Sequence, residues 1–134
     1  MSQENVEIVR RAIAEFDKSQ RPTDSFAPDF VWDVRTYRGF PVEREYRGWS
    51  GFFEFFEEWV DAYDEWDNEI EDVLDAGGNR VVALVHQRGR LHESEAWVEA
   101  HTGLVYTVEE GLIRRVQVHG THEEALEAAG LRDG

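Results

Sequence analysis

Between positions 49 and 63 the chain reads WSGFFEFFEEWVDAY, and no other stretch narrows the choice of fold so far. Phe52, Phe55, Phe56, Trp59, Val60 and Tyr63 recur at helical spacing, while Glu54, Glu57, Glu58 and Asp61 fall largely on the opposite side. A central amphipathic helix over residues 49–64 follows. Rings on this scale supply area for a core, a pocket or a subunit face. Aromatic residues make up 13% of the chain, with five Trp and eight Phe, so an apolar space is being enclosed.

The 134 residues fall within the size of one domain, taken here as residues 1–134, and a chain of this length buries about two-thirds of its unfolded surface. Cysteine is absent, which excludes disulfides, thiolate metal sites and a thiol nucleophile. No run approaches the roughly 20 apolar residues of a membrane span, and MSQENVEIVRRA lacks a secretory apolar stretch, so a cytoplasmic protein with no membrane partner is expected. Against 14 basic residues stand 29 acidic ones, a formal charge of -15 that repels a phosphate backbone, so no nucleic acid partner is expected.

Ser2 is a candidate N-cap for a first helix running to about Lys18, with Ile8, Val9, Ala12, Ile13 and Phe16 on one face. Two prolines break residues 21–28, and an extended segment over 30–37 puts Phe30, Trp32 and Val34 on one side. Residues 38–47 read as a lip-like loop. Strand-forming stretches follow at 67–75, 81–85, 96–108 and 112–120, joined by the turn AlaGlyGlyAsn and by Glu109, Glu110 and Gly111, which gives a mostly antiparallel meander. Thr121 and Glu124 form a capping box before a short helix from His122, and Gly130 suits its C-terminus. Ser50 reads as a helix cap, because no GxSxG elbow surrounds it.

The segments SQENVEIVRRAIAEFD, PDFVW, YRGWSGFFEFFEEW, VYTVEEGLIRRVQV and HEEALEAAGL, in this order, resemble SnoaL-like members of the nuclear transport factor 2-like superfamily over nearly the whole chain. The resemblance implies an α+β fold in which a cone-shaped, strongly curved, mostly antiparallel sheet wraps around a long helix, with N-terminal and short C-terminal helices. It also implies a small-molecule pocket in the cone and a homodimer. Ketosteroid isomerase, a relative, uses a Tyr, a general base and a protonated acid, which by pattern fall on Phe16, near Val34 and on Gly103; none of these can do that chemistry. Asp33, beside the base position, should point to the opposite strand face. The Asp-Arg-Asp constellation of limonene epoxide hydrolase has no counterpart.

The comparison turns His101, Gly103 and Val105 toward the cavity. His101 is therefore the candidate acid-base residue, since an unperturbed imidazole titrates near neutrality; a hydrogen-bonded histidine in the pocket wall is the competing account. Gly103 would leave room for a ligand. Trp32, Phe56, Trp59 and Tyr63 have the size and spacing of an aromatic ligand wall, against core packing as the alternative. Tyr106 carries a hydroxyl that could orient a ligand, but its strand parity assigns it to the other face. His119, His122 and Glu123 have metal-like spacing, but a strand end between the two imidazoles argues against convergence, so no metal and no cofactor is expected. His86 and His92 carry no spacing signal. Arg88, Arg90, Arg114 and Arg115 are expected in cross-strand ladders with acidic neighbours.

The function expected is binding of a hydrophobic, oxygenated small molecule, with cofactor-free acid-base catalysis of cyclase, isomerase or dehydratase type as the enzymatic form of that reading. A non-catalytic carrier or sensor and a protein-interaction module are its rivals.

Overall fold

The structure, a computed structural model, describes residues 2–37, 44–61 and 63–131, apart from the side chain of Ser2. Three helices and six strands follow in the order α1 (Ser2–Ser19), β1 (Phe26–Asp33), β2 (Glu45–Arg47), α2 (Gly48–Val60), β3 (Tyr63–Gly77), β4 (Arg80–Leu91), β5 (Trp97–Glu109), β6 (Leu112–His119) and α3 (His122–Ala128). The strands form one sheet in the order β2-β1-β6-β5-β4-β3. Every pair is antiparallel except β1 with β6, which is parallel, so the sheet is mixed. No described helix is long and apolar enough to cross a membrane.

The α+β class and the three helices agree with expectation, but the long central helix does not. α2 has 13 residues and is shorter than α1, which has 18. The sheet is an open six-stranded ladder with edges at β2 and β3, rather than a strongly curved cone wound around a long helix. Tyr63, which continues the helical spacing of Trp59, is instead the first residue of β3 and pairs with Leu91. Ser50 is not the cap: α2 starts at Gly48, and the N-cap, Arg47, makes no side-chain capping bond. Residues 38–43 of the expected lip lie outside the described residues, while the end of that segment forms β2.

Pro28 falls inside β1, although prolines suggested a later start. It is tolerated because the pairing of β1 with β6 shifts register between Phe26 and Val31, where a ladder N–H is not required. At the other end of the chain the local signals hold. The Thr121 hydroxyl accepts from Glu124 N at 3.0 Å, and Gly130 takes φ +79 beyond α3.

Both faces of the central strands are covered, and this determines which side chains meet. Val9, Ala12, Val81, Ala83, Tyr106, Val108, Ile113 and Val116 form one buried cluster beneath α1, while Phe30, Val34, Tyr46, Phe52, Phe55 and Val118 form another beneath α2. On the opposite face α3 packs Ala125 and Ala129 against Val82 and Val105. Gly103 belongs to this second face, where a Cβ would stand 2.3 Å from Ala125 Cβ. Glycine here lets α3 approach the sheet and does not make room for a ligand.

Candidate functional site

A cavity of about 520 Å³ lies between α1, α2 and the inner face of the sheet. It falls in the range of roughly 300–1,000 Å³ typical of small-molecule sites. The rings of α2 supply one wall. Phe52, Phe55, Phe56 and Trp59 line the cavity, and Phe16 from α1 meets Phe52 and Phe56 edge-on at 5.4 and 6.1 Å. Trp32 on β1 stands against Phe52 at 4.8 Å and Phe55 at 5.6 Å, and Trp66 on β3 against Trp59 at 5.6 Å. From the central strands come Val85 and Gln87 on β4, then Thr102, Leu104 and Tyr106 on β5.

Trp32, Phe56 and Trp59, expected as the aromatic wall, thus line this cavity. Tyr63 does not; it lines an adjoining pocket of about 200 Å³ that shares Tyr37, Trp59, Trp66 and Gln87 with the larger one. The even-numbered residues of β5 face inward, so the parity taken from the isomerase comparison is reversed. His101 and Gly103 lie on the other face, and Tyr106, ranked lower in the sequence, is part of the cavity wall. His101 is exposed and stacks on His86 across the β4–β5 ladder at 4.7 Å, its partner in register. The trio His119, His122 and Glu123 does not converge among the described residues; His119 is buried, and His122 meets His101 and Glu71 instead.

Four buried polar atoms of cavity-lining residues have no hydrogen-bond partner among the described residues: Trp32 Nε1, Trp66 Nε1, Gln87 Oε1 and Thr102 Oγ1. Leaving such a group unsatisfied costs about 1–3 kcal/mol. Two indole donors, an amide acceptor and a hydroxyl of either sense are therefore packed into the wall of an otherwise largely apolar enclosure. Asp17, Gln20, Asp67 and Asn68 add exposed polar groups to the lining, which sets them at the mouth.

Electrostatics single out one of these. Although Asp17 is exposed, partial desolvation against the cavity wall raises its carboxyl from the ordinary value, and the negative charge of Asp67 raises it further. Burial likewise pushes the Tyr106 phenol up, with Asp17 adding to the effect, so the hydroxyl keeps its proton and is available as a donor. Asp17 was not singled out from the sequence, although a signal existed. It follows Ile13 by four residues and precedes Gln20 by three, a carboxylate on the same helical face as Ile13 and Phe16.

Asp33 is buried but serves the sheet, not the cavity. Its Oδ1 accepts from Arg35 N and Nε, both at 3.0 Å, and its Oδ2 from Arg35 at 3.0 Å and Arg115 at 2.8 Å. Glu45 Oε2 accepts from the same two guanidiniums, so the network joins β2, β1 and β6. The other expected ladders are also formed: Arg88 lies 3.4 Å from Glu99, its cross-strand partner, Arg90 meets Asp64 and Glu65, and Arg114 meets Glu109 and Glu110.

Residues 9–116 match the SnoaL-like domain. No curated protein matches the chain. Among solved structures, a nuclear transport factor 2-like protein of Burkholderia thailandensis E264 is similar with a TM-score of 0.74 at 20% identity, over 96% of this chain and 98% of the other. TerC, co-crystallised with polyporic acid, is similar with a TM-score of 0.72 at 16% identity, over 95% and 98%. A protein of ketosteroid isomerase-like fold from Catenulispora acidiphila DSM 44928, in complex with trimethylamine, has a TM-score of 0.63 at 11% identity, over 90% and 93%. At these identities the likeness is one of fold.

Proposed function

Since the chain belongs to the SnoaL-like domain family, we propose that its cavity takes up one hydrophobic, oxygen-bearing small molecule and that Asp17 exchanges a proton with it. One observation carries this reading: four buried polar atoms without protein partners occur among the residues of an aromatic cavity of about 520 Å³. A purely apolar guest would leave those atoms unsatisfied, while a carbonyl or hydroxyl on a flat ring system meets indole N–H donors and a threonine hydroxyl once small side-chain rotations in the wall present them. The ligands named for TerC and for the Catenulispora protein support a small molecule in this fold.

The acid-base role expected of His101 passes to Asp17, because His101 lies on the face opposite the cavity. A carboxyl raised from its ordinary value is better matched to proton exchange than an unperturbed aspartate, and Asp17 stands at the cavity mouth where a guest enters. Tyr106 donates from the wall to the carbonyl oxygen on which charge gathers when an adjacent carbon loses its proton. The chemistry this supports is cofactor-free enolisation, leading to cyclisation, isomerisation or dehydration.

Titration of tryptophan fluorescence with a hydroxynaphthoquinone tests the binding step. Trp32→Phe keeps a ring in place and removes the indole donor, so affinity should fall about five- to tenfold, equivalent to roughly 1–1.4 kcal/mol. Undiminished affinity in a Trp32→Phe, Thr102→Val double variant would remove the polar atoms from the account.

The homodimer belongs to the same proposal. Leu91, Trp97 and Val98 are exposed large apolar residues at the shared end of β4 and β5, suited to cover by a second copy. Sedimentation of micromolar protein should give twice the chain mass of 15.6 kDa, and a single-chain species would refute the dimer.

A further inference from the structure

Away from the cavity, on the face that carries α3, three elements bring metal-binding side chains together. Glu71 comes from β3, His101 from β5, and His122 is the first residue of α3. One ligand atom from each lies within 4.8 Å of those of the other two. Glu71 Oε1 is 3.7 Å from His101 Nδ1, and Glu71 Oε2 is 3.8 Å from His122 Nε2. Ligand atoms around a tetrahedral zinc ion stand about 3.4 Å apart, given bonds of roughly 2.0–2.1 Å. The carboxylate meets the two imidazoles through different oxygens, each contact a few tenths of an ångström above that spacing, and the whole set, held within 4.8 Å, draws in slightly around an ion.

Two features of the backbone build this arrangement. In the β3–β4 ladder Ile70 pairs with Val85 and Asp72 with Leu84, so Glu71 is the extra residue of a bulge. Bulges re-aim a side chain relative to strict alternation. Across the next ladder His86 and His101 are register partners whose rings stack nearly parallel, at 12°, which restricts the turning of His101. His122 closes the group edge-on to His101, with ring centroids 5.4 Å apart.

We propose that Glu71, His101 and His122 bind one divalent transition-metal ion of the zinc class. Two imidazoles and one carboxylate suit zinc, cobalt or nickel, whereas calcium and magnesium require oxygen ligands. Three protein ligands leave a fourth position for water. His122 Nε2 donates to the Val85 carbonyl at 3.1 Å. The same Nε2 is the nitrogen beside Glu71, so coordination through it exchanges the Val85 bond for the metal. The ion ties the start of α3 to β3, adding to the buried packing of α3 on β5, and the formal charge of -15 favours its capture.

Full-length protein freed of metal by chelator and desalted should take up one zinc ion per chain in calorimetric titration, and cobalt(II) should give visible absorption bands of a tetrahedral site. His101→Gln and Glu71→Gln, both at exposed positions, should each weaken zinc at least about tenfold, as should His122→Gln. His92→Gln, on a different loop, should leave zinc affinity unchanged, and zinc should raise the melting temperature of the wild type but not of His101→Gln. No zinc uptake at concentrations up to about 1 mM, equivalent to a binding energy weaker than roughly 4 kcal/mol, would overturn the proposal. So would wild-type affinity in His101→Gln or in the Glu71→Gln, His101→Gln pair.

Discussion

Asp17→Asn will lower turnover of the cavity's substrate by about 10²- to 10⁴-fold, the usual contribution of a positioned general acid or base, while leaving substrate affinity within a few-fold. The reason is chemical and not steric: the amide keeps the shape of the side chain and loses its proton chemistry. The pH profile adds a second readout. Asp67 raises the Asp17 carboxyl through its charge, so Asp67→Asn should move the acidic limb of the profile to lower pH. If Asp17→Asn binds ligand and turns over every active substrate at the wild-type rate, the acid-base role is wrong. If no substrate is turned over by the wild type while ligand binds tightly, the cavity belongs to a carrier.

The second large effect concerns stability. Burial acts to raise the Asp33 carboxyl, but hydrogen bonds from the Arg35 side chain and backbone, with the charges of Arg35 and Arg115, outweigh it and hold the group below the usual range. A carboxyl depressed in the folded state contributes stability that is present above its unfolded pKa of about 3.9 and is lost as pH falls through the folded value. Asp33→Asn should therefore destabilise the protein by about 3 kcal/mol at pH 7, the lower end of the range for breaking a buried ion pair. The lower end applies because Arg35 is largely exposed and its charge can return to water. The gap should persist from neutrality to about pH 5 and close in stronger acid. A gap that does not depend on pH would mean that shape, and not charge, is what Asp33 supplies.

Local signals in the sequence reached both ends of α3 because capping and turn chemistry act over a few residues. Thr121, Glu124 and Gly130 illustrate this. The direction of β5 was not legible. Alternation divides Thr102, Leu104 and Tyr106 from His101, Gly103 and Val105, but α3 covers one face and the cavity occupies the other, so neither set is uniformly polar. Parity alone cannot tell which face is which when both are covered. The end of α2 failed for a related reason: Tyr63 sits four residues beyond Trp59, and an aromatic at that spacing reads as helix although the chain has already entered β3.

β3 was foreseen only in part because it is an edge strand. Most of its side chains are exposed and many are acidic, which discourages pairing with another chain but leaves little periodic apolar pattern to read. Asp17 shows the converse. Apolar positions define the inner face of α1, and a carboxylate at that spacing is easily assigned to solvent, although it stands where the helix meets the cavity. That residues 32, 56 and 59 line the cavity was legible because large rings have few places to go in a chain of this length.

The most direct test is a crystal of the protein soaked with a hydroxynaphthoquinone and refined with the site treated as unknown. The account predicts flat electron density bounded by Trp32, Phe52, Phe56 and Trp59, with ligand oxygens within about 3.2 Å of an indole Nε1 or the Thr102 hydroxyl. Ordered water alone filling that space at saturating ligand, or a guest whose oxygens all turn away from Trp32, Trp66 and Thr102, would contradict it.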